Sequence, residues 1–296
     1  MSTYQEIKGL KVKYLSADTS GDRAKEGEVF YNSASGAISA YVSAAGWHSS
    51  GNLNTSRQEL NGAGTQTAGL AMGGYTTTTL ANTEEYGGSS WATGEDMPAV
   101  KHAAASGGIQ TAAFIAGGYP DPGGNVNTYE YDGTDWAAGG DLNTSRMGHA
   151  GNFGSQTAGI MAGGFVAPGE TGTDVVEQYN GTSWSEVGDL NTARGYAGGS
   201  NQSPYTDGVI FGGGTSPLSG NLKNETETWD GTSWTETANL NSGRWSLGSG
   251  GTSSTAAIGF GGQPFTGKTE EWNGTSWTES ADLAAGRNYL SGCGTT

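Results

Sequence analysis

Residues 179–194 read YNGTSWSEVGDLNTAR, and the phrase returns as YDGTDWAAGGDLNTSR at 131–146, WDGTSWTETANLNSGR at 229–244 and WNGTSWTESADLAAGR at 272–287. Each copy opens on an aromatic residue followed by Asn-Gly or Asp-Gly. Both dipeptides tolerate the positive φ of a tight turn, so each marks a hairpin. A Trp follows five residues after the aromatic, and the phrase closes on Arg. Working outward, the Trp series runs 47, 91, 136, 184, 234, 277, with spacings between 43 and 50 residues. The closing basic residues are Arg57, Lys101, Arg146, Arg194, Arg244 and Arg287. Fifteen to twenty residues beyond most of these lies an apolar run ending in Gly-Gly: GLAMGG, AFIAGG, GIMAGG, VIFGGG, IGFGG. A fixed period of this length marks a repeat architecture. Each unit reads as four short strands: one small and Gly/Ala-rich, one apolar, one ending at the aromatic before the turn, one starting at the Trp.

This unit resembles the kelch repeat, as in propellers of the galactose-oxidase type, over residues 47–296. The resemblance implies an all-β β-propeller of four-stranded blades, and counting the units with the two ends makes it six-bladed. Five units lie between Arg57 and Trp277, followed by one more inner strand near Asn288–Gly294. The N-terminal strands Glu28–Tyr31 and Ile38–Val42, with a strand from Trp47, are expected to complete the sixth blade, so that the two ends share it and leave no edge exposed. The domains are then an arm over 1–26 and a propeller over 27–296.

Composition narrows the partners. Net charge is −16, and residues 1–26 are slightly basic, so the rest is strongly acidic. Such a surface repels phosphate, and no nucleic-acid partner is expected. No apolar run reaches membrane-spanning length and the first residues lack a signal-peptide core, so a soluble chain without membrane insertion is expected. The single cysteine, Cys293, allows no internal disulfide.

In a four-stranded meander the two-to-three and four-to-one loops share one face. The opposite face repeats almost without change (GTQTAG, GGIQTA, GSQTAG), whereas the two-to-three loops vary in every unit. Binding residues tend to sit on such loops. Tyr75, Tyr119, Asp121, Phe165 and Phe265 are therefore candidate ligand-binding residues, either as sugar platforms or as staples between loops. The basic series recurs in every unit, so it reads as architecture, pairing with Glu84, Glu177, Glu227 and Glu270 or with the Asp of the GDL motif. Neither a metal nor a cofactor is expected. The copper centre that the galactose-oxidase resemblance would bring needs two Tyr, two His and a cross-linked Cys. His48, His102 and His149 occupy unlike positions, and Cys293 has no evident Tyr partner.

Residues 8–42, KGLKVKYLSAD followed by EGEVFYNSASGAISAYV, resemble the start of tail-fibre and virion-appendage proteins of marine bacteriophages. That resemblance implies a non-enzymatic structural protein on the virion surface. Residues 1–26 would contact other virion proteins, and the propeller would meet host-surface glycans. A bacterial carbohydrate-binding propeller and a galactose-oxidase-like or glycan-active enzyme are the alternatives.

Overall fold

The computed structural model describes residues 13–15, 29–32, 37–40, 46–119, 125–148, 151–166, 171–216 and 221–294. The chain divides into two compact units, 1–46 and 47–296. The first unit holds one sheet. Its strand β2 (Val29–Asn32) pairs antiparallel with β3 (Ala37–Ala40), where the sequence places two of the N-terminal strands. Its other edge is taken by β1 (Lys13–Leu15), running parallel with Lys13 opposite Phe30. The sequence reading placed the C-terminal strand beside β2. β1 fills that edge. Most of the arm over 1–26 lies outside the described residues.

The second unit is a β-propeller. Blade 1 contains β4 (Asn61–Thr65), β5 (Ala68–Met72), β6 (Thr83–Tyr86) and β7 (Trp91–Thr93). Blade 2 contains β8 (Ala105–Ile109), β9 (Ala112–Ala116), β10 (Thr128–Tyr131) and β11 (Trp136–Ala138). Blade 3 contains β12 (Gly151–Ser155) and β13 (Ala158–Ala162), a loop hairpin β14 (Phe165–Val166) with β15 (Thr171–Gly172), then β16 (Val176–Tyr179) and β17 (Trp184–Glu186). Blade 4 contains β18 (Gly198–Gly199), β19 (Gly208–Phe211), β20 (Thr226–Trp229) and β21 (Trp234–Glu236). Blade 5 contains β22 (Gly248–Ser253), β23 (Ala256–Phe260), β24 (Thr269–Trp272) and β25 (Trp277–Glu279). Every blade is an antiparallel meander, as the turn spacing requires. The Asn180 side-chain amide oxygen accepts from the Thr182 and Ser183 backbone amides at 2.9 Å, locking the NGTS turn.

A sixth position completes the ring. The segment 288–294 lies between β22 and β4: the Gly251 amide donates to the Gly294 carbonyl, and Gly62 faces Ser291 and Gly292. Six backbone amides then form a closed cycle. Tyr289 donates to Ser246, Ser246 to Tyr196, Tyr196 to Gly148, Gly148 to Ala103, Ala103 to Glu59, and Glu59 back to Tyr289, all at 2.8–3.2 Å. All six residues share a left-handed φ of 49–53°. One conformation repeated six times, each residue bonded to the next, establishes six equivalent places around one axis.

The packing between blades uses the repeated residues. Phe114, Phe153, Phe211 and Phe260 pack against Trp184, Trp234, Trp277 and Trp47 of the following blade, at centroid separations of 4.5–6.2 Å. The Trp47 indole donates to Thr269 Oγ1 at 3.1 Å, as Trp136 donates to Thr83 and Trp184 to Thr128. Trp47 therefore stands in the sixth blade's outer place and seals blade 5. On the uniform face, Gln110 donates to the Gly69 and Tyr86 carbonyls, and Gln156 to those of Ala113 and Tyr131. Staples of this kind explain why that face barely varies.

Candidate ligand face

Each basic residue after a GDL-type motif begins an inner segment on the face that carries the two-to-three loops. Its backbone and its side chain do different work. The Arg146 carbonyl accepts from the Gly118 amide of the preceding blade at 2.8 Å. Its guanidinium donates to Gly163 O within its own blade at 3.0 Å and to Glu177 at 2.8 Å, both side chains being fully buried. The same pattern joins Arg194 to Glu227 and Arg244 to Glu270, and Arg57 pairs with Glu84 at 2.9 Å. Blade 2 replaces both partners together. Lys101 stands for Arg and Tyr129 for Glu, and the Lys101 ammonium donates to Gly117 O at 2.8 Å and lies 5.2 Å from the Tyr129 ring centre. Burial pushes the Lys101 ammonium down to about 8, with Asp141 opposing the shift.

The two residues after each basic residue reach the axis. At the second of these the chain reads Glu59, Ala103, Gly148, Tyr196, Ser246, Tyr289, the six members of the hydrogen-bonded cycle. A left-handed backbone costs an L-residue about 1–2 kcal/mol, so two Tyr there are unusual. Tyr196, Trp245 and Tyr289 form a mutually edge-on cluster with centroids 5.3–6.0 Å apart, and Phe165 joins it at 5.5 Å from Tyr196. Across the axis, Tyr119 stacks on His102 at 4.6 Å and 5°, while Tyr75 leans on the same imidazole at 5.3 Å. His102 Nδ1 meets Thr79 Oγ1 at 3.1 Å, and its Nε2 lies 3.5 Å from a Glu59 carboxyl oxygen. Burial raises the Glu59 carboxyl to about 7 and lowers the His102 imidazole to about 4. Between those values both groups are uncharged, so the pair is not an ion pair in that range.

The candidate aromatics thus divide. Tyr75 and Tyr119 are half-buried and come together through His102. Phe165 is fully buried and fills the space over Gly148 and Gly195, which makes it a staple between loops rather than a platform. Phe265 is 68% exposed, next to the cis Gln263–Pro264 bond. Asp121 lies outside the described residues, as does His149. Glu59, Tyr196, Trp245 and Tyr289 were not singled out from sequence. The signal was present: six equivalent positions carry five different residue types.

Below the cycle the axis narrows to two voids of about 50 Å³ each, laced by Asn61, Asn152 and Asn201. Ligand pockets run to several hundred Å³, so the channel itself cannot seat a sugar. A cavity of about 460 Å³ opens instead beside the sixth inner segment, lined by Leu70, Trp91, Phe265, Arg287, Tyr289 and Leu290, among others.

No protein-family model matches the chain, and no curated protein matches it. Solved structures do match. "Structure of YjhT" aligns with a TM-score of 0.66 at 14% identity, over 81% of this chain and 88% of that one. The likeness is one of fold.

Proposed function

We propose that this chain is a non-enzymatic surface protein of a bacteriophage virion that binds saccharides through the loop face of its propeller. The observation that carries the binding reading is the Tyr75–His102–Tyr119 cluster, in which Tyr119 stacks on His102 and Tyr75 leans on it, at a place where the repeat is broken. Aromatic faces flanked by hydroxyl and amide groups suit the apolar face and polar rim of a pyranose. The virion assignment rests on the resemblance of residues 8–42 to tail-fibre and appendage proteins, with other virion proteins as the partners of residues 1–26. Two measurements test it. Mass spectrometry of purified virions should find the chain, and a glycan array should show binding that Tyr119→Ala weakens about tenfold, the loss of roughly 1–1.5 kcal/mol of ring contact. Absence from virions removes the first half of the reading, and an array without binding removes the second.

A glycan-active enzyme is favoured by one observation, the Glu59 carboxyl held near neutrality, where a general acid works. That reading requires sugar turnover that Glu59→Gln abolishes. Binding without turnover leaves the non-enzymatic reading in place.

A further inference from the structure

The six basic positions are alike in sequence and unlike in their surroundings. Arg57, Arg146, Arg194 and Arg244 each meet a buried carboxylate, and Lys101 meets a carbonyl, an amide oxygen and a Tyr face. Arg287 is exposed, and among the described residues its guanidinium meets no carboxylate. The sequence supplies a reason. Seven residues before the successive Trp stand Glu84, Tyr129, Glu177, Glu227 and Glu270, but seven before Trp47 stands Ala40. The acid that recurs in the repeat is thus missing from the sequence at that register.

Its surroundings are those of a site. The Arg287 backbone is fixed on both sides: its amide donates to Thr266 O at 3.1 Å and its carbonyl accepts from Gly262 at 2.7 Å. Arg287 lines the 460 Å³ cavity together with Asn288 and Gln58, two neutral hydrogen-bonding residues, and Tyr289. The exposed Phe265 ring lines the same cavity and lies against Gly286, one residue away. Arg57 also lines it but is occupied by Glu84. An Arg fork matches a carboxylate with two parallel hydrogen bonds, and an adjacent aromatic face suits a sugar ring. The chain's net charge of −16 repels dense polyanions, so spaced carboxylates fit better than phosphate strands.

We infer that Arg287, with Phe265 beside it, forms the recognition site for a carboxylate-bearing saccharide, a uronic-acid glycan. The inference rests on the saccharide-binding reading above and names the ligand class and the discriminating residue. The test uses the full chain on an array of uronate-bearing glycans printed beside the same glycans with their carboxyls reduced to alcohols. Acidic forms should bind about tenfold more tightly, the value of one charge-assisted contact. Arg287→Gln should erase that preference at an unchanged melting temperature, Arg287→Lys should keep part of it, and Phe265→Ala should weaken both forms alike. Equal binding of acidic and reduced glycans, unaltered in Arg287→Gln, overturns the inference and leaves saccharide binding standing. No binding to either set overturns both.

Discussion

At the residue scale, the buried Arg–Glu pairs and the Lys101–Tyr129 pair are two solutions to one problem. A buried cation needs acceptors, and removing one partner leaves an unpaired charge that costs about 3–5 kcal/mol. Glu177→Tyr alone, which strands the Arg146 guanidinium, should therefore cost on that order in chemical denaturation, and Arg146→Lys alone, which keeps a cation opposite Glu177 but loses the guanidinium's hydrogen bonds, should cost less. The double substitution copies blade 2 and should recover at least half of the loss; a double variant as unstable as the sum of the singles would show that blade 2 depends on something else. Glu59 gives a second test. Its folded pKa lies above its ordinary value, so the folded state holds more protons between about pH 4.5 and about 7 and loses stability as pH rises through that window. His102, depressed from 6.5 to about 4, works in the opposite sense and gains stability from about pH 4 to 6.5. In Glu59→Gln only the His102 contribution remains. Its melting temperature should climb more steeply than that of the parent from pH 4.5 to 6.5 and exceed it above pH 7.5. Parallel melting curves would refute the assigned burial of Glu59.

At the element scale, the strands, hairpins and Gly-Gly stops were legible because each rests on local chemistry. Gly73 shows why the stop must be glycine. Its φ is +58°, and a Cβ would run into the Lys101 carbonyl, the acceptor that Gly74 uses at 2.8 Å. Gly73→Ala should cost about 1–2 kcal/mol from backbone conformation alone, with the collision added, in an equilibrium melt. A neutral substitution would mean that the stop relaxes freely. The axial residues were less legible. A repeat draws the eye to what recurs, and Glu59, Tyr196 and Tyr289 matter because they differ at one shared place. Their convergence also depends on the ring, which brings segments some 40–50 residues apart into hydrogen-bond contact. Phe165 shows the converse limit: its loop position is readable, but its burial depends on glycines at 148 and 195 in neighbouring segments. The two N-terminal strands that pair as β2 and β3 were readable, whereas the parallel partner β1 was not, since parallel pairing leaves no turn signature between strands.

At the scale of the whole molecule, the ring accounts for both stability and the placing of the site. Blades that bury their faces only against neighbours need every place filled. The sixth place is held by a segment joined through Tyr289 to Ser246 and Glu59, with Trp47 sealing the outer side of blade 5. The same place departs from the repeat: among the described residues its cation meets no carboxylate, and a cavity of about 460 Å³ lies beside it. Closure of the ring by residues 288–294 is the claim on which the rest depends. Its most direct test is hydrogen exchange on a chain ending at Gly286. Protection should collapse at the Glu59 amide and across β4 and β22, the segments that flank the missing one, with aggregation on warming. Unchanged protection in β4 and β22, with an unchanged melting temperature, would contradict a ring closed by the C-terminal segment.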